Sequence, residues 1–309
     1  MSGWSQCVKA SKGKTFSSIE IKVGIPQGGP LSAKMFTYVT DEISGDLLGT
    51  KANVSDLCKY SDDTRLLHNI RKHNADEDHE LYQTMANKIA EISHKKNPKL
   101  NVNKCNEIIF MQGQSKSANV RKAADKILTM NGMDVPKVKK VKYLGVHINE
   151  DHKWNDQVNS IVKKVNFISK SLTLFMPYVN SKIKLQMFKS YILPNIMYSV
   201  EVWGAAITEK EIRKLRKSLK YFAACSQLDL TSLINICNES YEKKIDQRIE
   251  KILMNANHPL HTKLQSLKQS QYKTRNSCRV LYCRTTSYQK SFVPIASLRQ
   301  SEVCQLPFS

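Results

Sequence analysis

Alternation of apolar and polar residues predicts several short strands in the first half of the chain. The clearest is 16–23, where three branched apolar residues face one side until Gly24 ends the run. Two apolar-rich runs, 54–60 and 64–70, flank Ser61-Asp62-Asp63 at the spacing of a tight hairpin, with the acids at or near its bend. The other predicted strands are 107–111, 127–135 as a hairpin around Asn131-Gly132, and 141–148.

Apolar residues that recur every three or four positions predict helices between and after these strands. One helix is predicted after Pro30, and a longer one over 76–96 has acids at its start and lysines at its end, as the helix dipole favours. From Trp154 onward the periodicity is helical almost throughout. The predicted helices there are 154–174, 183–203 with a bend at Pro194, and 209–225. The last helix has a basic flank, which comprises Arg213, Lys214, Arg216, Lys217 and Lys220. The pattern therefore predicts an α+β domain over 1–150 followed by a helical domain over 151–260.

The net charge of the chain constrains its function. The 309 residues contain 48 Lys and Arg against 27 Asp and Glu, a net charge of +21, and most of the excess lies in the second half. Such a surplus is typical of proteins that bind phosphate backbones or an anionic membrane. The final segment, 261–309, is rich in Lys, Arg, Ser, Thr and Gln, so we expect a basic, weakly ordered tail.

A membrane is the less favoured of these two partners. The most apolar stretch, 191–207, is interrupted by Pro194, Asn195, Glu201 and Gly204 and is shorter than the roughly 20 residues of a spanning helix. We interpret it as protein core and expect no membrane partner. The first residues lack the apolar run of a secretory signal, and the eight cysteines show no CxxC spacing. We therefore expect an intracellular protein of the nucleus or cytoplasm that is not secreted.

The adjacent acids Asp62 and Asp63 are the strongest chemical feature of the chain. Two carboxylates at the end of a hairpin with apolar strands are costly unless cations bind them, and such hard oxygen ligands suit Mg²⁺ (or Mn²⁺) shared with substrate phosphates. An exposed Asp-rich turn is the alternative interpretation. About 30 residues upstream, the glycine-rich segment 24–32 joins a strand to a helix, which allows close approach to phosphate. It is neither of the standard nucleotide-binding fingerprints.

The order of four motifs resembles the reverse transcriptase domain of non-LTR (LINE-like) retrotransposons. The motifs are GIPQGGPLS, YSDD, LNVNKCNEIIF and VKYLGVHI. The resemblance runs from about residue 4 to about residue 204 and returns faintly near 291–307. It implies an RNA-directed DNA polymerase of a transposable element, a nucleotidyltransferase that extends a DNA primer on an RNA template from deoxynucleoside triphosphates. It also implies a right-hand polymerase fold, with an antiparallel palm followed by an all-α thumb.

The same resemblance assigns roles to individual residues. It makes Asp62 and Asp63 the catalytic, metal-binding pair of the palm, places Tyr60 beside the primer end, and makes 154–174 the first thumb helix. Nucleotidyl transfer needs two cations about 3.5 to 4 Å apart, one at the primer 3′-hydroxyl and one at the triphosphate. The other matching residues are Pro26, Gln27 and Gly28 against the nascent base pair and incoming nucleotide, Lys104 at the leaving pyrophosphate, and Tyr143, Leu144 and Gly145 in the primer-holding hairpin.

Part of the family pattern has no counterpart in this sequence. The family has a further aspartate on a strand ahead of the GIPQG segment, whereas the only acid before Gly24 is Glu20. The fingers are also expected to be missing. We therefore expect an N-terminally truncated, catalytically impaired polymerase fragment. The alternatives are a non-catalytic nucleic-acid-binding remnant that uses the basic helical domain, and a maturase-like splicing factor. The sequence does not indicate which proteins, if any, the chain binds.

Overall fold

The computed structural model describes residues 4–6, 19–21, 31, 32, 34, 38, 55–95, 100–111, 118–265, 292, 293 and 296. The chain divides into two compact units. The first comprises Met1–Glu107 and Gln112–Lys137, and the second comprises Ile108–Met111 and Val138–Ser309. The functional boundary expected at residue 150 stays a prediction.

Over the described ranges, the strands form four separate two-stranded antiparallel sheets. Each sheet pairs two strands that are consecutive in the chain, and two-residue turns join the partners in β3–β4, β5–β6 and β7–β8. The strands are β1 Trp4–Gln6, β2 Ile19–Ile21, β3 Ser55–Tyr60, β4 Asp63–His68, β5 Thr129–Met130, β6 Met133–Asp134, β7 Lys140–Tyr143 and β8 Val146–Asn149. The hairpins predicted around Ser61-Asp62 and Asn131-Gly132 are confirmed.

Helices make up most of the remaining described structure. They are α1 Ala75–Lys95, α2 Ala118–Asp125, α3 Asn155–Thr173, α4 Ser181–Met187, α5 Leu193–Met197, α6 Val200–Trp203, α7 Glu209–Ser226, α8 Leu230–Met254 and α9 His261–Gln265. Short 3₁₀ helices occupy Val102–Lys104, Met176–Tyr178 and Gly204–Ala206, and a π-helical turn occupies Phe188–Ile192. Among the described helices, none has the length and apolar character that a membrane span requires.

Polar side chains determine where the long helices of the second unit begin. At α7, Thr208 and Glu211 form a capping box in which the Glu211 carboxylate accepts a hydrogen bond from the Thr208 backbone N–H at 2.7 Å. At α8, the Asp229 carboxylate accepts a hydrogen bond from the Ser232 backbone N–H at 2.7 Å. Both caps satisfy backbone donors that the first turn of a helix leaves unpaired.

The core of the first unit is built against α1. Met85, Ala86, Ile89 and Ala90 are buried on one side of this helix and belong to one apolar cluster. The other buried members are Val102, Leu128, Met130 and Val135. Leu57 of β3 and Leu66 of β4 pack against this cluster. The hairpin that carries the two acids is therefore supported from beneath by the core of its own unit.

The core of the second unit is larger and fully helical. Its largest buried side chains include Trp203, Phe188 and Phe222, and α3 contributes the apolar stripe predicted from the sequence, with Val158, Ile161 and Val165 buried. Leu264 and Ala296, from the segment expected to be a weakly ordered tail, are also buried in this core. The rest of 261–309 lies almost entirely outside the described residues.

The structure corrects three predictions of secondary structure. The segment 107–111 forms only an isolated bridge between Glu107 and Lys137 rather than a strand. The predicted strand 141–148 is a hairpin, because Leu144 and Gly145 reverse the chain with φ of 46° and 83°. The predicted helix 183–203, expected to bend once at Pro194, is instead divided among α4, a π-helical turn, α5 and α6.

Three local features account for that break. Pro194 has no backbone N–H to donate, and the wide turn Phe188–Ile192 directly precedes the helix that contains it. Ser199 then adopts a left-handed conformation with φ of 49°, which separates α5 from α6.

Candidate functional site

The two acids lie at the bend of the β3–β4 hairpin. Its six residue pairs end with Tyr60 opposite Asp63, so Ser61 and Asp62 form a two-residue turn, and Ser61 has a φ of 54°. Both carboxylates are exposed to solvent. The sequence-based expectation that the acids lie at or near a tight bend is therefore confirmed.

The pairing register divides this hairpin into an inner and an outer face. Leu57 and Leu66 are opposite each other and pack on the core, and on the same face the His68 ring stacks on Tyr82 with 5.4 Å between centroids. Tyr60 and Asp63 are also directly opposite and therefore share the outer face. The structure thus places Tyr60 beside Asp63 on the face away from the core, and the expected position of Tyr60 at the primer end stays a prediction.

A charged contact secures the connection from β4 to α1. The Asp78 carboxylate, buried near the start of α1, accepts hydrogen bonds from the Arg71 backbone N–H at 2.7 Å and from Arg71 Nη2 at 2.7 Å. These bonds hold the pKa of Asp78 below its usual range. Burial lowers the pKa of His68, the last residue of β4. The hairpin is therefore held both by the packing of its apolar face and by the ion pair in the connection from β4 to α1.

The acid pair suits a hard divalent cation by donor type. Mg²⁺ is typically bound through one or two carboxylates and completes its coordination with water and substrate phosphate. Two neighbouring, solvent-exposed carboxylates provide that donor set. In the part of the chain that the structure describes, no group of three or more His, Cys, Asp or Glu side chains could hold a metal ion.

Of the remaining candidate residues of the first unit, the structure describes only Lys104. Lys104 is exposed and ends the 3₁₀ helix Val102–Lys104, on a separate element from the acid hairpin. Pro26, Gln27 and Gly28 lie outside the described residues. The roles assigned to all four stay predictions.

A buried acid lies near this 3₁₀ helix. Glu107 is buried, none of the described residues hydrogen-bonds to its Oε2, and burial raises the pKa of its carboxyl group. Burial also raises the pKa of Tyr82, with a smaller contribution from the charge of Glu107. Sequence analysis did not single out Glu107, because nothing in its neighbours distinguishes a buried glutamate from an exposed one.

The β7–β8 hairpin of the second unit carries the predicted primer-holding residues Tyr143, Leu144 and Gly145 at its tip. Its strands dock on the start of α3, because the buried Gln157 side chain accepts a hydrogen bond from the His147 backbone N–H at 3.0 Å. The Asn149 amide also donates to the Asn155 side chain at 3.0 Å. The structure thus joins this hairpin directly to the helix predicted as the first of the thumb.

Sequence analysis missed the residue that contacts the tip of this hairpin. The Tyr198 hydroxyl donates a hydrogen bond to the Leu144 carbonyl oxygen at 2.6 Å. Because 191–207 is predominantly apolar, we interpreted it as core, whereas Tyr198 is 49% exposed. No local pattern indicates this contact, which joins positions 54 residues apart in the sequence.

The basic flank predicted on α7 is a narrower surface than the sequence suggested. Lys214 turns inward and donates to the Asn159 side chain of α3 at 2.7 Å, and Arg216 is only partly exposed. The exposed basic residues recur at helical spacing on one face. We call these residues the α7 basic face, and they are Lys210, Arg213, Lys217 and Lys220.

Comparison with known protein families agrees with the motif order. Residues 2–148 match the family model described as reverse transcriptase (RNA-dependent DNA polymerase). The matched segment includes both acids, Lys104 and the tip of the β7–β8 hairpin, and it ends before α3. No curated protein and no solved structure matched the chain.

Proposed function

We propose that this chain is the RNA-directed DNA polymerase of a non-LTR, LINE-like retrotransposon, extending a DNA primer on an RNA template. The observation that carries the proposal is the exposed acid pair at the bend of a core-supported hairpin, within a segment that matches the reverse transcriptase family. In this proposal the first unit and the β7–β8 hairpin belong to a partial palm, and the helices from α3 onward form the thumb.

The described candidate residues of the first unit have roles that their positions allow. Asp62 and Asp63 would hold Mg²⁺ (or Mn²⁺), which when bound activates the primer 3′-hydroxyl and stabilises charge on the triphosphate. Tyr60 shares the outer face with Asp63 and would lie beside the primer end. Lys104 is exposed and would neutralise the departing pyrophosphate.

The second unit would supply most of the grip on nucleic acid. The α7 basic face offers four exposed cations along one side of a helix, which suits the phosphate backbone of a duplex. Binding of this kind is independent of sequence and weakens steeply with salt, because each phosphate contact releases condensed counterions. A processive polymerase needs such a contact, since it must hold every sequence that it copies.

A second candidate function is a nucleic-acid-binding protein without catalysis. The observation that favours it is that the helical unit has its own large core and the α7 basic face, both of which lie largely outside the family-matched segment. Such a protein would bind duplexes as the polymerase does, but it would add no nucleotides.

Primer extension distinguishes the two candidates. The full chain is incubated with a DNA primer on an RNA template, Mg²⁺ and the four deoxynucleoside triphosphates, and single-nucleotide additions are resolved. We expect template-directed extension. Asp62→Asn or Asp63→Asn should lower the rate at least about a hundredfold, because a lost metal ligand removes several kcal/mol of charge stabilisation.

Asp134→Asn is the matched control. Asp134 is an exposed aspartate of the β5–β6 hairpin in the same unit, and its substitution should leave extension unchanged. Extension that survives both Asp62→Asn and Asp63→Asn would contradict the assignment of the acids. Tight duplex binding by the wild-type chain with no extension in Mg²⁺ or Mn²⁺ would favour the non-catalytic function instead.

A further inference from the structure

The tip of the β7–β8 hairpin has an unusual residue in a left-handed position. Leu144 and Gly145 form a two-residue turn with φ of 46° and 83°, nearly the values of Asn131 and Gly132 in the β5–β6 hairpin, which are 51° and 73°. Asn-Gly is the pair that such turns prefer, because asparagine tolerates the left-handed region and leucine does not. The β7–β8 turn therefore needs support that the β5–β6 turn does not.

Tyr198 provides that support from another part of the chain. Leu144 lies outside the paired residues of the hairpin, which end with Tyr143 opposite Val146, and its carbonyl oxygen accepts the Tyr198 hydroxyl at 2.6 Å. The ring also covers Gly145, since a Cβ placed on Gly145 would lie 3.3 Å from Cε1 of Tyr198. One side chain thus contacts both residues of the turn.

Tyr198 is itself held in place by the core of the second unit. The fully buried Trp203 donates its Nε1–H to the Tyr198 carbonyl oxygen at 3.0 Å, and Lys244 Nζ donates to the Met197 carbonyl oxygen at 2.7 Å. The left-handed Ser199 turns the chain directly after Tyr198. These contacts place the Tyr198 side chain on a rigid support while leaving its ring half exposed.

We propose that Tyr198 is a positioning residue that holds the Leu144-Gly145 turn in the shape that receives the 3′ end of a primer strand. This inference rests on the proposed function, in which Tyr143, Leu144 and Gly145 hold that end. A turn of two residues at an exposed tip would otherwise shift with the strain at Leu144. Binding that must place one terminal nucleotide within fractions of an ångström requires a turn of fixed shape.

The test uses a spectroscopic signal from the primer end rather than activity. The full chain binds a DNA primer on an RNA template with 2-aminopurine at the 3′ terminus. Fluorescence anisotropy reports affinity for the whole duplex, and 2-aminopurine emission reports the surroundings of the terminal base. Tyr198→Phe removes only the hydroxyl, so we expect the Kd to stay within about twofold of wild type. The change in emission on binding should fall by about half or more as the turn loses its fixed shape.

Tyr178→Phe is the matched control, because Tyr178 belongs to the same unit and is 86% exposed. It should reproduce the wild-type emission change. Gly145→Ala disturbs the same contact from the turn side and should reduce the change as Tyr198→Phe does. If Tyr198→Phe fails to fold, as judged by circular dichroism, Gly145→Ala decides the question.

The outcomes separate this inference from the proposed function. A wild-type emission change that persists in Tyr198→Phe, or in Gly145→Ala if that variant decides, would overturn the positioning role and leave the polymerase proposal standing. A wild-type complex with no change in terminal-base emission would overturn both, because no primer end would then be held.

Discussion

Gly145→Ala tests the physical account of the β7–β8 tip most directly. Alanine at φ of 83° is strained by about 1–2 kcal/mol, as any L-residue is in the left-handed region. Gly132→Ala provides an internal reference, because its φ is 73° and a new Cβ there meets nothing within 4 Å. The two substitutions therefore share the backbone strain and differ in the contact with Tyr198.

That contact allows the extra cost at Gly145 to be worked out. A Cβ at 3.3 Å from the Tyr198 ring pushes the ring away and weakens its hydrogen bond to Leu144, and a bond of this kind contributes about 1 kcal/mol net. We therefore expect Gly145→Ala to lower the free energy of unfolding by about 2–3 kcal/mol and Gly132→Ala by about 1–2 kcal/mol.

Urea unfolding followed by circular dichroism measures both values. In a Trp4→Phe background, tryptophan fluorescence assigns the second-unit transition, because the two remaining tryptophans, Trp154 and Trp203, both lie in that unit. A double-mutant cycle then isolates the contact. In a Tyr198→Ala background, the loss of unfolding free energy caused by Gly145→Ala should be smaller by about 1 kcal/mol and should equal the loss caused by Gly132→Ala. If Gly145→Ala lowers the free energy of unfolding equally in the wild-type and Tyr198→Ala proteins, the proposed contact is refuted.

Two further predictions concern charge. Burial raises the pKa of Glu107, so this carboxyl favours folding at low pH, and that contribution is lost as the pH rises through its folded-state pKa. Glu107→Gln stays neutral, and urea unfolding should show its stability rising relative to wild type from pH 4 to pH 8; a difference that does not change with pH would contradict this. On the α7 basic face, Lys217→Gln should make the negative slope of log Kobs for duplex DNA against log salt shallower by about 0.9, because one phosphate contact is lost. Anisotropy titrations measure this slope. Lys88→Gln, an exposed lysine on α1, should leave that slope unchanged if the α7 basic face is the binding surface.

Local sequence signals predicted the elements that carry the candidate site. The β3–β4 and β5–β6 hairpins form where short turn sequences separate apolar runs, and the acids lie at the bend as expected. The apolar stripe of α3 is buried as its periodicity indicates. These features depend on residues a few positions apart, so they can be read from a short window of the chain.

Some predictions failed because short windows hold no information about distant partners. Lys214 is drawn inward by Asn159, 55 positions away, although its neighbours suggested one continuous basic flank. Leu264 is buried in the core of the second unit although its neighbours in sequence are mostly polar. Composition reports average polarity, whereas burial depends on which side chains meet in space.

The amino-acid sequence alone determined the motif order, the bend that carries Asp62 and Asp63, the helical face of α3 and the large positive charge, because each arises from neighbouring residues or from their sum. Only the tertiary structure decided that Tyr198 reaches the Leu144 carbonyl, that Gln157 holds β8, and that four particular cations of α7 remain exposed. Those outcomes depend on packing between segments dozens of residues apart. Their free energies arise only when both partners are brought together, so neither partner's local sequence records them.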